Sequence, residues 1–222
     1  MRNIMALKQN HPFGVKKFEK LGYKINIQVL VKQKGRVGLK LTRLPVLHTL
    51  ISMMLNPTTI LKSTLSEIPW FFSLLVSTFA FALFFLQTGL DLYRTGQRQL
   101  IFVLKSMAIG AVYGTIAIPF LAVVVWGFFK ITRNEKSLFW TISSFCLSYS
   151  GALIYGLFGL FFSLVFNWKT AIAFGVTGVL WATGPLITTI REMTRGNTSM
   201  GVLFASAIGI VVLVTWSIFA NI

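Results

Sequence analysis

From Pro69 onward this sequence is a succession of apolar stretches, each long enough to cross a lipid bilayer, separated by short charged connections. A run of about 18 or more apolar residues is the signature of a spanning helix. Backbone inside hydrocarbon must satisfy its own hydrogen bonds, which a helix does within one segment. Five such stretches are present, at 69–86, 104–129, 138–166, 170–190 and 201–221. The fold class that follows is all-α: a polytopic membrane protein, a five-transmembrane-helix bundle with a basic cytoplasmic N-terminal arm. Composition agrees, since only 12% of the residues are charged where a soluble domain carries about a quarter.

Three regions divide the chain: residues 1–45, a basic arm; residues 46–68, an interfacial amphipathic segment; and residues 69–222, the bundle. The first long apolar run begins too late for a cleavable signal, so the first span is expected to act as its own insertion signal. Asn167-Trp168-Lys169 is a very short connection, which makes the third and fourth spans an antiparallel pair. Pro119 falls inside the second span and is expected to kink it. Trp70, Trp126, Trp140, Trp168 and Trp216 stand near span ends, where indole rings favour the headgroup layer.

Charge sets the orientation. The chain has 21 Lys and Arg against 5 Asp and Glu, a formal net charge of +16. An N-inside arrangement places 17 of the basic residues on the cytoplasmic side and 4 on the other. The positive-inside rule therefore selects a cytoplasmic N-terminus and an outside C-terminus in the cell membrane. Asn197-Thr198-Ser199, a glycosylation match, then faces the cytoplasm and stays unmodified.

Eleven basic residues fall in the arm, and nine of them, Lys16, Lys17, Lys20, Lys24, Lys32, Lys34, Arg36, Lys40 and Arg43, are the candidate contacts to anionic lipid. A basic arm beside a membrane anchor reads as a cytoplasmic retention signal or a lipid binder. No nucleic-acid module accompanies it, so nucleic acid is not an expected partner. Within the arm, Tyr23 to Val31 and Val37 to Leu41 alternate apolar and polar residues around Gln33-Lys34-Gly35-Arg36, the pattern of a weak β-hairpin. Between arm and bundle, Val46 to Leu55 is apolar but too short to span, and Asn56-Pro57 is a helix-start signal. Ile60, Leu61, Leu65 and Ile68 share one side of the helix that follows. It reads either as a short helix at the cytoplasmic interface or as the extended foot of the first span.

Small residues recur at three- and four-residue spacing along the spans. The clearest row is Ser144, Ser148, Ala152, Gly156, Gly159 and Ser163; Leu153, Leu157, Leu160 and Leu164 lie apart from it as a lipid-facing row. Similar rows are Ser106–Gly110–Gly114–Ala117, Ala171–Gly175–Gly178–Ala182 and Gly201–Ala205–Gly209, with Ser73–Ser77–Ala80 the weakest. No hydrophobic force drives helices together in lipid, so close backbone approach through small residues must do it. Helix packing is the preferred reading of these rows; a substrate path lined by the same serines and by Tyr113, Tyr149 and Tyr155 is the other.

Catalytic chemistry is not expected. No Asp, Glu or His lies well inside any of the five stretches, and both histidines precede them. Ion-coupled transport and proton relays usually use an intramembrane ionisable group, and a hydrolase needs a nucleophile with its base. Cys146 is the single cysteine, so neither a disulfide nor a multi-cysteine metal site is indicated; no cofactor is expected. One polar cluster, Gln87 to Arg98, holds Asp91, which stands three residues from Arg94. It reads as a solvated or interfacial loop in preference to a ligand site.

The order of parts, from Leu55-Asn56-Pro57-Thr58 through Ile68-Pro69 to five spans carrying Ser148-Tyr149-Ser150-Gly151-Ala152-Leu153-Ile154-Tyr155-Gly156, resembles a bacterial member of the Yip-one (Ypt-interacting protein) family over about residues 50–222. The resemblance implies a five-span protein with a cytosolic N-terminus, acting through protein or lipid contacts in the membrane. Eukaryotic relatives are linked to Rab-type GTPases and vesicle traffic. Their Asp-Leu-Tyr-Gly-Pro stretch before the first span has no counterpart here, because Asp91-Leu92-Tyr93 follows that span and continues into Arg94. No site is carried across. The expected partners are anionic membrane lipids and an unidentified membrane or cytoplasmic protein; a small permease or channel component is the alternative.

Overall fold

The computed structural model describes residues 46–131 and 136–221. The arm, with its expected hairpin and its nine candidate lipid contacts, lies outside the described residues. Every described element is helical. Helix α1 covers Val46–Leu55 and is followed, after Asn56, by a composite helix α2 made of Pro57–Thr59, a wide π-turn Ile60–Thr64 and a tight turn Leu65–Glu67. Five long apolar helices follow: α3 Trp70–Arg94, α4 Leu100–Ile131, α5 Leu138–Phe166, α6 Ala171–Met193 and α7 Thr198–Asn221. Successive long helices alternate in direction. One end of the bundle, here the near end, therefore holds Trp70, Ile131, Leu138, Met193 and Thr198, and the far end holds Arg94, Leu100, Phe166, Ala171 and Asn221.

Helix α3 is the axis. It packs along α4, α5 and the start of α6 and reaches α7 through Phe84 stacked on Trp216 (5.1 Å) and Phe85 tilted against Phe219 (4.8 Å). Its small residues explain the close fit: Ser73, Ser77 and Ala80, the weakest row by sequence, are fully buried. Opposite them, a Cβ on Gly110 or Gly114 would fall against the carbonyl oxygens of Phe81 and Ser77, and the Ser77 hydroxyl donates to the Gly114 carbonyl at 2.8 Å. The space between helices is filled by Phe81, Phe84, Phe85, Phe145 and Tyr149, each at most 2% exposed.

Three of the long helices are irregular near their middles or starts. In α4 the turn before Pro119 opens into a π-helix, Tyr113–Ala117. Proline has no N–H for the carbonyl four residues back and crowds it, and a wider turn accommodates both problems. Helix α5 is interrupted at Tyr149 (φ −82°, ψ 13°). The cause is local: Ser144 and Ser148 donate to the carbonyls of Trp140 and Ser144, both at 2.7 Å, and Ser150 donates to Leu147. Such back-bonding serines loosen and bend helices. Helix α6 opens with a π-helix, Ala171–Val176.

The sequence reading sets the third span, 138–166, as it stands and the other four short. The first runs to Arg94, not to residue 86, so Gln87 to Arg94 is helix and the expected loop there is corrected. The second, fourth and fifth also begin or end several residues beyond 104–129, 170–190 and 201–221.

Candidate functional site at the far end of the bundle

The last two turns of α3 carry Gln87, Asp91 and Arg94, spaced four and three residues apart and so on one helix face. That face meets the short connection between α5 and α6. Helix α5 ends with carbonyls that have no intrahelical donor, and α6 begins with N–H groups that have no intrahelical acceptor. Arg94 answers the first set. It donates through Nη2 to the Ser163 carbonyl (2.6 Å), and through Nη1 to the Ser163 hydroxyl (2.7 Å) and the Trp168 carbonyl (3.0 Å). Asp91 answers the second, because its Oδ2 accepts from the Ala171 N–H at 2.9 Å. A carboxylate at a helix N-terminus and a guanidinium at a helix C-terminus both oppose the local end of the helix dipole. The two side chains also approach each other, Nη1 to Oδ1 at 3.9 Å. Between the clamped helix ends, Asn167 adopts the left-handed conformation (φ 58°), which asparagine tolerates better than most residues.

One turn earlier, Gln87 is fully buried and its Nε2 donates to the Gly156 carbonyl at 2.6 Å. Gly159 makes room for it, since a Cβ there would stand 2.6 Å from the Gln87 Oε1. Thr88 accepts from the Trp216 indole N–H at 2.8 Å, tying α7 to the same turn of α3. Thr88, Asp91, Leu92, Thr95, Gln97, Lys169, Ala171, Ile172, Trp216 and Ala220 surround a cavity of about 330 Å³ open to the outside.

This is a joint between helices. Arg94, Asp91 and Gln87 each hold a helix end or a carbonyl, while the buried Gln87 Oε1, Asp91 Oδ1 and Thr170 hydroxyl have no hydrogen-bond partner. Among the described residues no group of three or more His, Cys, Asp or Glu comes together as a metal site. The sequence reading places Gln87, Asp91 and Arg94 in one polar cluster, but links Asp91 only to Arg94 and gives Gln87 no partner. The four-and-three spacing was the available signal.

The small-residue rows are distributed over the same contacts. Gly110, Gly114, Ser144, Ser148, Ala152, Gly156, Gly159, Gly175, Gly178, Gly201, Ala205 and Gly209 are all buried. Gly178 faces the Ala152 backbone, where an added Cβ would lie 2.8 Å from Cα, and Gly201 faces the Ile187 carbonyl at 2.8 Å. In the leucine row, Leu157 and Leu164 are exposed, whereas Leu153 and Leu160 are half-buried. The three tyrosines do not line a common path. Tyr113 and Tyr149 flank Phe81, with ring centroids at 5.1 and 4.9 Å, and Tyr155 lies against Trp181. Cys146 is buried. No family model, no curated protein and no solved structure matches this chain.

Proposed function

We propose that this multi-pass membrane protein is a non-catalytic membrane organiser of the Yip-one kind, working through protein or lipid contacts, with its N-terminus in the cytoplasm and its C-terminus outside the cell membrane. The observation that carries the reading is a filled interior. Large aromatic side chains occupy the space around α3, and Arg94, Asp91 and Gln87 at the far-end joint each hold a neighbouring helix. A transporter built on discontinuous helices presents a site near the bilayer midplane between them; here the break at Tyr149 is closed over by Phe81 and its ring is 1% exposed.

The competing permease reading draws on the same irregular helices, α4 at Tyr113–Ala117 and α5 at Tyr149. Two measurements on the purified chain separate them. In proteoliposomes the organiser admits no flux of small neutral or charged solutes above empty vesicles. In native membranes, photo-crosslinkers at the exposed positions Leu157 and Leu203 capture a discrete protein or lipid adduct. Saturable solute flux would overturn the organiser reading.

A further inference from the structure

Residues 46–67 form a helix pair that packs on the bundle and leaves a row of apolar side chains exposed. A surface helix shows an apolar face and a polar face. Helix α1 has a narrow polar stripe, His48, Thr49 and Ser52, of which Thr49 is buried, and apolar residues elsewhere: Leu50 and Met53 are buried against the bundle, while Leu47, Ile51 and Leu55, one turn apart, are exposed at 62%, 39% and 69%. No Asp, Glu, Lys or Arg occurs from Val46 to Leu61.

The contacts of this pair lie deep. Leu50, Met53, Ile60, Leu61 and Leu65 cluster with Val76 of α3 and Leu147 of α5, and Leu153 and Ile154 pack on them. At the turn, Met54, Leu55 and Pro57 share an open cavity of about 460 Å³ with Leu180, Trp181, Gly184, Pro185 and Thr188 of α6. Trp181 stands twelve residues inside Met193, about 18 Å at 1.5 Å per residue. Half of a hydrocarbon core of about 30 Å is about 15 Å. The other end of α2 is shallow, because Lys62 pairs with Glu192 at the near end of α6 (3.6 Å). The turn itself suits this depth. Asn56 donates its N–H to the Ser52 carbonyl at 2.8 Å, and Pro57 has no N–H to satisfy.

We propose that α1 and α2 form a re-entrant wedge that dips to the bilayer midplane from the near end and returns, displacing the acyl chains of that one leaflet. Its partner is lipid: Leu47, Ile51, Leu55 and the cavity at the turn face hydrocarbon chains. Two helices of roughly 10 Å diameter add about 160 Å² of cross-section to one leaflet and none to the other. A protein wider in one leaflet favours bilayers that curve toward that leaflet. This goes beyond the organiser reading and stands whether or not the bundle conducts a solute.

The test uses the full chain with Cys146→Ser and single cysteines at Leu47, Leu55, Ser66 and Asn197, reconstituted in vesicles and treated with a membrane-impermeant maleimide. Ser66→Cys and Asn197→Cys label from one side, Leu47→Cys labels from that side or not at all, and Leu55→Cys resists labelling until detergent is added. Labelling of Leu55→Cys as fast as Ser66→Cys means a surface-lying pair, and labelling of Leu47→Cys from the opposite side means a sixth crossing; either overturns the wedge. For its consequence, the fluorescent full chain is followed on tubes drawn from giant vesicles, with the near-end leaflet outermost. The protein concentrates at least twofold on the tube, and Leu47→Lys/Ile51→Lys/Leu55→Lys loses that enrichment. Equal density of the unaltered chain on tube and vesicle, or undiminished enrichment of the triple variant, overturns the curvature preference.

Discussion

Removing the guanidinium of Arg94 is the sharpest single perturbation of the far-end joint. Its side chain is 20% exposed and makes three hydrogen bonds, two to Ser163 and one to the Trp168 carbonyl. Hydrogen bonds to a charged group contribute about 1.5–3 kcal/mol each. Not all of that is lost in Arg94→Ala, because Trp168 is exposed and its carbonyl can turn to water or headgroups. The Ser163 carbonyl is less easily served, and Asp91 loses its nearest cation. A net loss of about 2–4 kcal/mol follows. At about 2–4 °C per kcal/mol for a domain of this size, the midpoint of thermal unfolding in detergent falls by roughly 5–15 °C. Arg94→Lys recovers less than half, since a single ammonium cannot reproduce the planar fork. The control is Arg98→Ala: Arg98 is exposed and lies over the Phe102 ring at 5.2 Å, an arrangement worth about 0.5–1 kcal/mol. Tryptophan fluorescence and aggregation on heating read all three variants. If Arg94→Ala melts within error of Arg98→Ala, the joint contributes nothing and the reasoning fails.

Three other outcomes are expected. Gly114→Ala lowers thermal stability because its methyl meets the Ser77 carbonyl, whereas Gly127→Ala, with nothing within 4 Å, is neutral or gains roughly 0.5–1 kcal/mol in helix propensity; similar losses at both positions would contradict the close approach of α3 and α4. A reporter active only outside the cytoplasm works when fused after Ile222 and fails within Arg191 to Arg195; activity in that connection would rule out the proposed orientation. A peptide of residues 1–45 binds anionic vesicles, releases as salt rises through the screening range, and ignores neutral vesicles; equal binding to both would remove the anionic-lipid role of the arm.

The existence and order of the five spans were legible because each stretch is long, apolar and bounded by charge. Apart from the third span, 138–166, their ends were not. Gln87-Thr88-Gly89-Leu90-Asp91 looks polar as a string, and a string does not show that Gly156, Trp216 and Ala171 supply a partner to each polar side chain. The rows of small residues pointed to close packing, but not to which helix each would meet: Gly175 fits the Phe84 ring, and Gly159 fits Gln87. The break at Tyr149 was written in the serines on either side of it, whose back-bonding is visible only once the helix is built. For Val46 to Leu55, shortness rules out a crossing and draws the reading toward the interface; that Leu47, Ile51 and Leu55 stay exposed is visible only once the helix is packed.

The axial position of α3 has a consequence for how the chain is made. It is the most enclosed of the five, with 56% of its apolar window buried against 22% for α7, yet it is the first to leave the ribosome. At that moment Ser73, Ser77, Gln87 and Asp91 have none of the neighbours that surround them in the finished bundle. Unsatisfied polar groups are costly in hydrocarbon, so α3 reaches its full stability in the bilayer only when α5 and α6 arrive to receive Gln87, Asp91 and Arg94. Helix α7, which follows them in the chain, meets partners that are already in place.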